Sequence, residues 1–338
     1  MGSKQNIASI SDIAKALGIA PSTVSRALNN HPDIGADTRE RVHSYAKKVN
    51  YRPNALALSL KNQRSSTIGI VVPEIVHHFF SSIIAGMEDI AYAKGYRLMI
   101  CQSNEEYERE KINIQGLIDH RVAGIMVSMS KNTLDFSHFN EAMSQGIPLL
   151  LFDRNCQQIN TDTVITDDYG GAYEVTNHLI NKGRRRILHL SAPQNLLIAS
   201  ERLLGYTDAL IKNGIEPDHK LVLHCDTPDM VEAKKEEILD LLPKIDAIFA
   251  VNDFTAIAII QLLNEIGVKV PEHISVAGFG DDPISLIARP RLTTVEQKGY
   301  DMGCEAATIL ISRIENPDSP TMAQTVRFEA TLKARESG

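Results

Sequence analysis

Ser11-Asp12-Ile13-Ala14-Lys15-Ala16-Leu17-Gly18-Ile19-Ala20-Pro21-Ser22-Thr23-Val24-Ser25-Arg26-Ala27-Leu28-Asn29 is the stretch on which the reading of this chain turns. Ser11 can cap a first helix over 12–17, and Gly18 ends it by tolerating a left-handed backbone. After a short turn, Pro21 suits the first position of a second helix that runs to about Asn29. At about 100° per residue, Val24, Ala27 and Leu28 share one face, while Ser22, Ser25, Arg26 and Asn29 share the opposite one. Two short helices across a tight glycine turn, with a small-polar and arginine outer face, describe a helix-turn-helix. A third helix, roughly 36–49, turns Val42, Tyr45, Ala46 and Val49 inward to complete a small core. At this point a generic three-helix bundle remains an alternative.

Charge favours the first reading. The chain of 338 residues has a net charge of −7, unevenly spread. Residues 1–64 hold 10 Lys and Arg against 4 Asp and Glu, and the remainder holds 25 against 38. A basic head on an acidic body is informative, because the body alone would repel DNA.

The segment that follows, Tyr51-Arg52-Pro53-Asn54-Ala55-Leu56-Ala57-Leu58-Ser59-Leu60-Lys61, reads as a break, a cap at Asn54 and about two helical turns. A helix this short is marginal in water and is expected to order only where DNA and a twin helix supply contacts. Asp12-Ile13-Ala14, Gly18, Ser22-Thr23-Val24-Ser25-Arg26, Leu28-Asn29, Thr38-Arg39, Tyr51-Arg52-Pro53-Asn54-Ala55 and Ser59-Leu60 together resemble the head and hinge of LacI/GalR-family repressors, and the likeness continues through the whole chain. The resemblance implies base-edge contacts from Pro21, Ser22 and Arg26, and mainly phosphate contacts from Thr23, Ser25, Asn29 and Tyr51, with Asn54 and Leu60 completing the DNA-binding set. Arg26 can fork onto guanine O6 and N7, worth about 1–3 kcal/mol of discrimination. Leu60 would be a minor-groove wedge, inserted with its dimer mate to kink the operator. Leu58 stands where the family often has Arg, so the resemblance does not carry a hinge–phosphate contact onto this position, though it still carries the wedge.

Beyond the polar linker Gln63-Arg64-Ser65-Ser66, strand-like and helix-like segments alternate. Strands are expected over 68–73, 97–102, 124–128, 148–152 and 163–166, then over 187–191, 221–225, 247–251 and 275–278. Helices are expected over 80–93, 169–181, 202–213 and 255–266. Short apolar strands between amphipathic helices indicate parallel sheets. Two such runs suggest two doubly wound lobes with a cleft at the carboxyl ends of the strands. The resemblance adds three crossings of the chain between the lobes, the later two near Leu292–Val295 and Val326. The expected fold class is a small all-α helix-turn-helix head plus an α/β two-lobed, periplasmic-binding-protein-like sensor built on two doubly wound parallel sheets. The expected domains are 1–52 for the head, 53–66 for the hinge helix and linker, and 67–338 for the effector-binding and dimerisation domain. Within the last, one lobe takes about 67–166 and 295–324, and the other about 167–292 and 325–338.

The residues just past strand ends are polar in the way a sugar site needs: Phe79-Phe80, Asp153-Arg154, Asn252-Asp253 and Gly280-Asp281-Asp282, with Arg202 opening a helix and Gln297 following a crossing. Aromatic rings cover the C–H face of a sugar, while carboxylates and guanidinium fork onto adjacent hydroxyls. The resemblance carries ligand contact onto Phe80, Asp153, Arg154, Arg202, Asn252 and Gln297. It departs at Gly280, where the family has aspartate, so that Asp281 is the expected substitute. It departs also at Asp168, where Asn is common and an added carboxylate rejects an anionic ligand or demands a basic partner.

An enzyme is disfavoured. No glycine-rich dinucleotide motif follows the first strand, no phosphate loop or nucleophile elbow is present, and His77 and His78 have no third ligand. Cys101, Cys156, Cys225 and Cys304 have no metal or disulfide spacing and read as free thiols in a reducing cytoplasm. No stretch is apolar enough for a membrane span. The expected partners are double-stranded operator DNA, a small sugar or sugar derivative and a second copy of the chain, with no metal, cofactor or membrane. The expected role is a repressor of carbohydrate-utilisation genes. Two alternatives stay open: a sugar-binding protein without regulatory action, and a ligand-promoted or activating regulator whose effector is a nucleobase or sugar acid.

Overall fold

The computed structural model describes residues 8–51, 65–318 and 322–338, in two compact units divided at Arg64 and Ser65. The first unit holds helices Ile10–Leu17, Pro21–Leu28 and Ala36–Lys48. Ile13, Ala14, Val24, Ala27, Val42 and Ala46 form its core, and Leu17, Leu28, Tyr45, Val49 and Tyr51 close around them. The first helix starts earlier than expected. Ser9, not Ser11, is the cap, because Asp12 three residues on completes a reciprocal box: the Ser9 hydroxyl accepts from the Asp12 N–H, and the Ser9 N–H donates to the Asp12 carboxylate at 2.9 Å. Gly18 closes that helix at φ 67°, a left-handed conformation that a Cβ would strain.

The second unit contains two parallel sheets. In the first lie β1 (Thr67–Val72), β2 (Arg97–Gln102), β3 (Gly124–Val127), β4 (Leu149–Phe152), β5 (Asp162–Thr166) and β11 (Thr325–Phe328), in the order β11-β5-β4-β3-β1-β2. In the second lie β6 (Ile187–Ser191), β7 (Val222–His224), β8 (Ala247–Ala250) and β9 (Ser275–Ala277), in the order β7-β6-β8-β9. Both faces are covered, which is why these strands read as unbroken apolar runs. In the first sheet Ile68, Ile70, Met126 and Leu150 face helices His78–Ala93 and Gly299–Glu315. Val71, Ile125, Leu149 and Leu151 face Tyr107–Asp119 and Ser137–Ser144 instead. In the second sheet Leu188, Leu190 and Ile248 pack on Asp253–Glu265, while Ile187 and Phe249 pack on Asp168–Asn181 and Leu197–Lys212.

Glycines weld the flanking helices. A Cβ on Gly86 would lie 2.1 Å from the Tyr300 carbonyl oxygen, and one on Gly303 would lie 2.0 Å from that of Ile83. In the second lobe a Cβ on Gly205 would stand 2.3 Å from the Tyr169 carbonyl oxygen.

The chain leaves the second lobe along β10 (Thr294–Glu296) and returns along β12 (Thr331–Lys333), which pair antiparallel. Between them it gives the Gly299–Glu315 helix and β11 to the first lobe. Val326 is therefore inside the first sheet, paired with Val164. The last crossing falls after Phe328, beyond the expected 324/325 boundary, because the β11 backbone finds its partners on β5. In each sheet the chain reverses its direction of strand addition once, between β1 and β3 and between β6 and β8. The crevice outside the carboxyl ends of the strands at such reversals is where an open α/β sheet binds ligands.

Candidate functional site

The head presents Pro21, Ser22, Arg26 and Asn29 exposed and Thr23, Ser25 and Tyr51 half-buried on and beside its second helix. That helix begins at Pro21 without a side-chain cap, and its outer face carries Ser22 and Arg26 opposite the buried Val24 and Ala27. Asn29 ends it and donates its amide to the Ser25 carbonyl at 2.8 Å. Asn54 and Leu60 lie outside the described residues.

In the second unit a cavity of about 230 Å³ opens where the carboxyl ends of the strands face one another. Phe79, Phe80, Asp153, Arg154, Arg202, Asn252 and Gln297 all line it. Asp281 does not. Its carboxylate turns to Arg335 at 2.6 Å and accepts from the Ser285 hydroxyl. Asp253 takes the place expected of it, 2% exposed on the cavity wall, accepting from the Thr294 hydroxyl and the Asp282 N–H. A Cβ on Gly280 would sit 3.6 Å from the Asp253 carboxylate, an ordinary contact, so it is the backbone at φ 135° and not a lack of space that calls for glycine there. Burial, aided by Asp281 and Asp282, pushes the Asp253 carboxyl up to about 7 against the pull of its two hydrogen bonds. Asn252, rather than Asp253, caps the following helix through the Thr255 N–H at 2.8 Å, and its amide donates to the Asp226 carbonyl.

Arg202 lies in the second turn of the Leu197–Lys212 helix, not at its start. It meets Asp168, which opens helix Asp168–Asn181, through Nε at 2.7 Å and Nη2 at 2.6 Å. Its Nη1 donates to the Val251 carbonyl, and its plane rests 3.8 Å from the centre of the Phe279 ring. Asp168 thus finds the basic partner that its charge demands. Burial raises its carboxyl to about 6, even with Arg202 opposing.

Arg154 does not chiefly pair with its neighbour Asp153. Its fork closes on Glu105, Nη1 at 2.8 Å and Nη2 at 2.9 Å, and Nη1 also reaches the Met129 carbonyl. Burial would raise Glu105, but the Arg154 hydrogen bonds and charge, with Lys131, overcome it and hold the carboxyl below its ordinary value. Asp153 itself, at φ 60°, is buried, accepts from the Ser128 hydroxyl at 3.3 Å and is raised by that burial. Glu105, Lys131, Asp226 and Phe279 escaped sequence reasoning. Asp153 comes directly after β4, whereas Glu105 lies beyond Ser103 and Asn104 at the end of β2, so the strand-end rule would have found it only if carried past the first residues of the loop. His77 stands against Phe254 across the cleft with ring centroids 5.3 Å apart.

Residues 9–54 match the model of bacterial regulatory proteins of the lacI family, and residues 65–335 match that of periplasmic binding proteins and the sugar binding domain of the LacI family. The chain belongs to the LacI family. It is 32% identical over 332 residues to the transcriptional regulator GalR of Escherichia coli, covering 98% of this chain and 96% of that one. It is 31% identical over 316 residues to the repressor PurR of Vibrio atlanticus, covering 92% and 93%. Among solved structures, the regulator CelR in complex with cellobiose superposes with a TM-score of 0.75 at 29% identity, over 98% of this chain and 100% of that one. A lac repressor dimer bound to operator and the anti-inducer ONPF shares the fold, with a TM-score of 0.82 at 24% identity over 98% of each. This LacI-family chain is accordingly a DNA-binding transcriptional regulator with an effector-binding domain.

Proposed function

We propose that this regulator binds a near-palindromic operator as a homodimer in the cytoplasm and represses carbohydrate-utilisation genes under control of a sugar-like effector held in the cleft. The observation that carries the effector reading is the cleft wall itself, where Phe79 and Phe80 stand beside Asp153, Arg154 and Gln297. Apolar ring faces next to carboxylate, guanidinium and amide groups match the alternating C–H and hydroxyl surface of a saccharide. The cellobiose complex of CelR and a D-xylulofuranose complex of a relative from Alkaliphilus metalliredigens (29% identity, TM-score 0.71, 81% and 99% covered) are consistent with it.

On the DNA side, Pro21, Ser22 and Arg26 read base edges. Thr23, Ser25, Asn29 and Tyr51 hold phosphates, and the hinge with Asn54 and Leu60 enters the minor groove. Effector binding shifts the population of lobe arrangements and thereby the spacing of the two hinges. A thermal-shift screen of mono- and disaccharides on the full chain tests the effector class; stabilisation by nucleobases alone would refute it. Arg26→Ala should relax base preference at one operator position, at a cost of about 1–3 kcal/mol there. Uniform weakening across all operator variants would remove Arg26 from the base-reading set. Leu60→Ala should reduce DNA bending in a permuted-fragment gel assay; an unchanged bend refutes the wedge.

A further inference from the structure

Lys131, Arg154 and Arg202 are the lysine and arginine side chains on the cleft wall, and each already faces a carboxylate. Arg154 is forked onto Glu105, and Arg202 onto Asp168, at 2.6–2.9 Å. Lys131 stands 3.6 Å from Asp226. Among the described residues four carboxylates of the wall are left without a close lysine or arginine: Glu74, which meets His77 at 2.8 Å, Asp282, Asp153 and Asp253. Asp153 comes no nearer to Arg154 than 4.0 Å, and Asp253 is held by neutral donors. Carboxylates on the wall outnumber its lysine and arginine side chains, so it carries surplus negative charge even where burial keeps the Asp253 carboxyl protonated up to about pH 7. An anionic ligand could take the paired Nη atoms of Arg154, or the Nε and Nη2 of Arg202, only by breaking one of these pairs and stranding its carboxylate, a costly exchange for groups as buried as Asp168, at 1% exposed; the Arg154 Nε that stays unmatched is buried and has the Asp153 carboxylate 4.0 Å away.

The polar atoms still unmatched are of both kinds. Arg154 Nε and Gln297 Nε2 are buried donors without a hydrogen-bond partner among the described residues. The Asp153 carboxylate accepts only from Ser128 among the contacts described. A hydroxyl answers both, since it donates and accepts; an ionised carboxylate or phosphate only accepts.

We propose that the cleft selects an uncharged, hydroxyl-bearing ligand and rejects the carboxylate and phosphate forms of the same skeleton, with Glu105 and Asp168 imposing the selection by occupying the two arginines. This rests on the saccharide-sensor reading above and narrows it to neutral sugars.

The full chain is titrated calorimetrically with matched series: glucose, galactose, ribose and cellobiose, each beside its acid and its monophosphate. In any series that binds, the neutral sugar should bind at least about 100-fold more tightly than its charged forms. Glu105→Gln and Asp168→Asn, near-isosteric changes that free a guanidinium, should each narrow that gap by about 10-fold or more. A merely structural role would weaken every ligand alike. Should Asp168→Asn fail to fold, Glu105→Gln carries the test alone. An acid or phosphate that binds the wild-type chain as tightly as its neutral parent overturns the charge selection and leaves saccharide sensing standing. Equal weakening of all ligands by the variants overturns the roles of Glu105 and Asp168. If no member of any series binds, saccharide sensing falls and this inference falls with it.

Discussion

Arg202 illustrates what a buried ion pair demands of its neighbours. At 5% exposure it faces Asp168, itself 1% exposed, so each is tolerable only with the other. Arg202→Ala should destabilise the effector domain by about 3–5 kcal/mol, while Arg202→Met combined with Asp168→Asn should cost far less. Denaturant melts of the two variants check this; equal losses would mean that the pair's charge is not the issue. Asp253 offers a second test through pH. Its folded-state value of about 7 lies above the ordinary 3.8, so its stabilising contribution is whole below pH 4 and is lost as pH rises through 7. Replacing it by Asn should remove that loss. The melting temperature of Asp253→Asn relative to the wild-type chain should climb between pH 4 and 7.5, with a free-energy swing on the order of 2–4 kcal/mol. A difference that stays flat with pH excludes a buried titrating carboxylate. Residue types at strand ends were legible in the sequence, but their pointing was not. Asp281 and Asp253 both carry carboxylates near the same strand ends, and only the positions of Arg335 and Thr294 decide which of them faces the cavity.

Elements fared better in kind than in extent. The helix-turn-helix periodicity placed Val24 and Ala27 inward and Arg26 outward, because a short helix on a small core has one face to bury. Its start was misplaced since Ser9 and Ser11 are chemically equal caps, and only Ser9 has an acidic residue three positions on. Ser9→Ala should therefore lower the stability of the head by about 1 kcal/mol, and Ser11→Ala should change it by less than about 0.5 kcal/mol. Hydrogen exchange over residues 9–51 in the full chain reports both; equal effects would deny the box. Similarly, the Leu197–Lys212 helix begins a full turn before Arg202, since nothing in its apolar first turn signals a cap. The glycine welds were invisible to periodicity, which counts apolar side chains and not their absence. Gly303→Ala should cost about 2–3 kcal/mol, as its Cβ would meet backbone that cannot swing aside. A melt unchanged by that substitution would mean that the two helices can part freely.

Across the whole effector domain the cleft is spanned by light contacts: Lys131 to Asp226 at 3.6 Å, the Asn195 amide to the Lys131 carbonyl at 2.7 Å, and His77 against Phe254. Half-buried pairs of this kind are worth about 1 kcal/mol or less. Lys131→Met should accordingly weaken binding of a neutral sugar by less than about 10-fold; a larger loss would make Lys131 a ligand contact. The sequence shows two alternating runs of strands and helices, which suffices for two lobes. It does not show where the chain passes between them, because a strand's partner is set by distant backbone: Thr325 lies beside Thr163. That same pairing bears on how the protein comes into being at the ribosome. The head and the sheet of β6 to β9 are each drawn from one continuous stretch, the latter complete by Ala277. The first lobe, although its chain emerges earlier, lacks the Gly299–Glu315 helix and its edge strand until Phe328 has been synthesised. Protection from protease on stalled nascent chains should therefore arrive out of order: head first, the four-stranded sheet of the second lobe next, and the first lobe after it, with β12 closing the second lobe at the end.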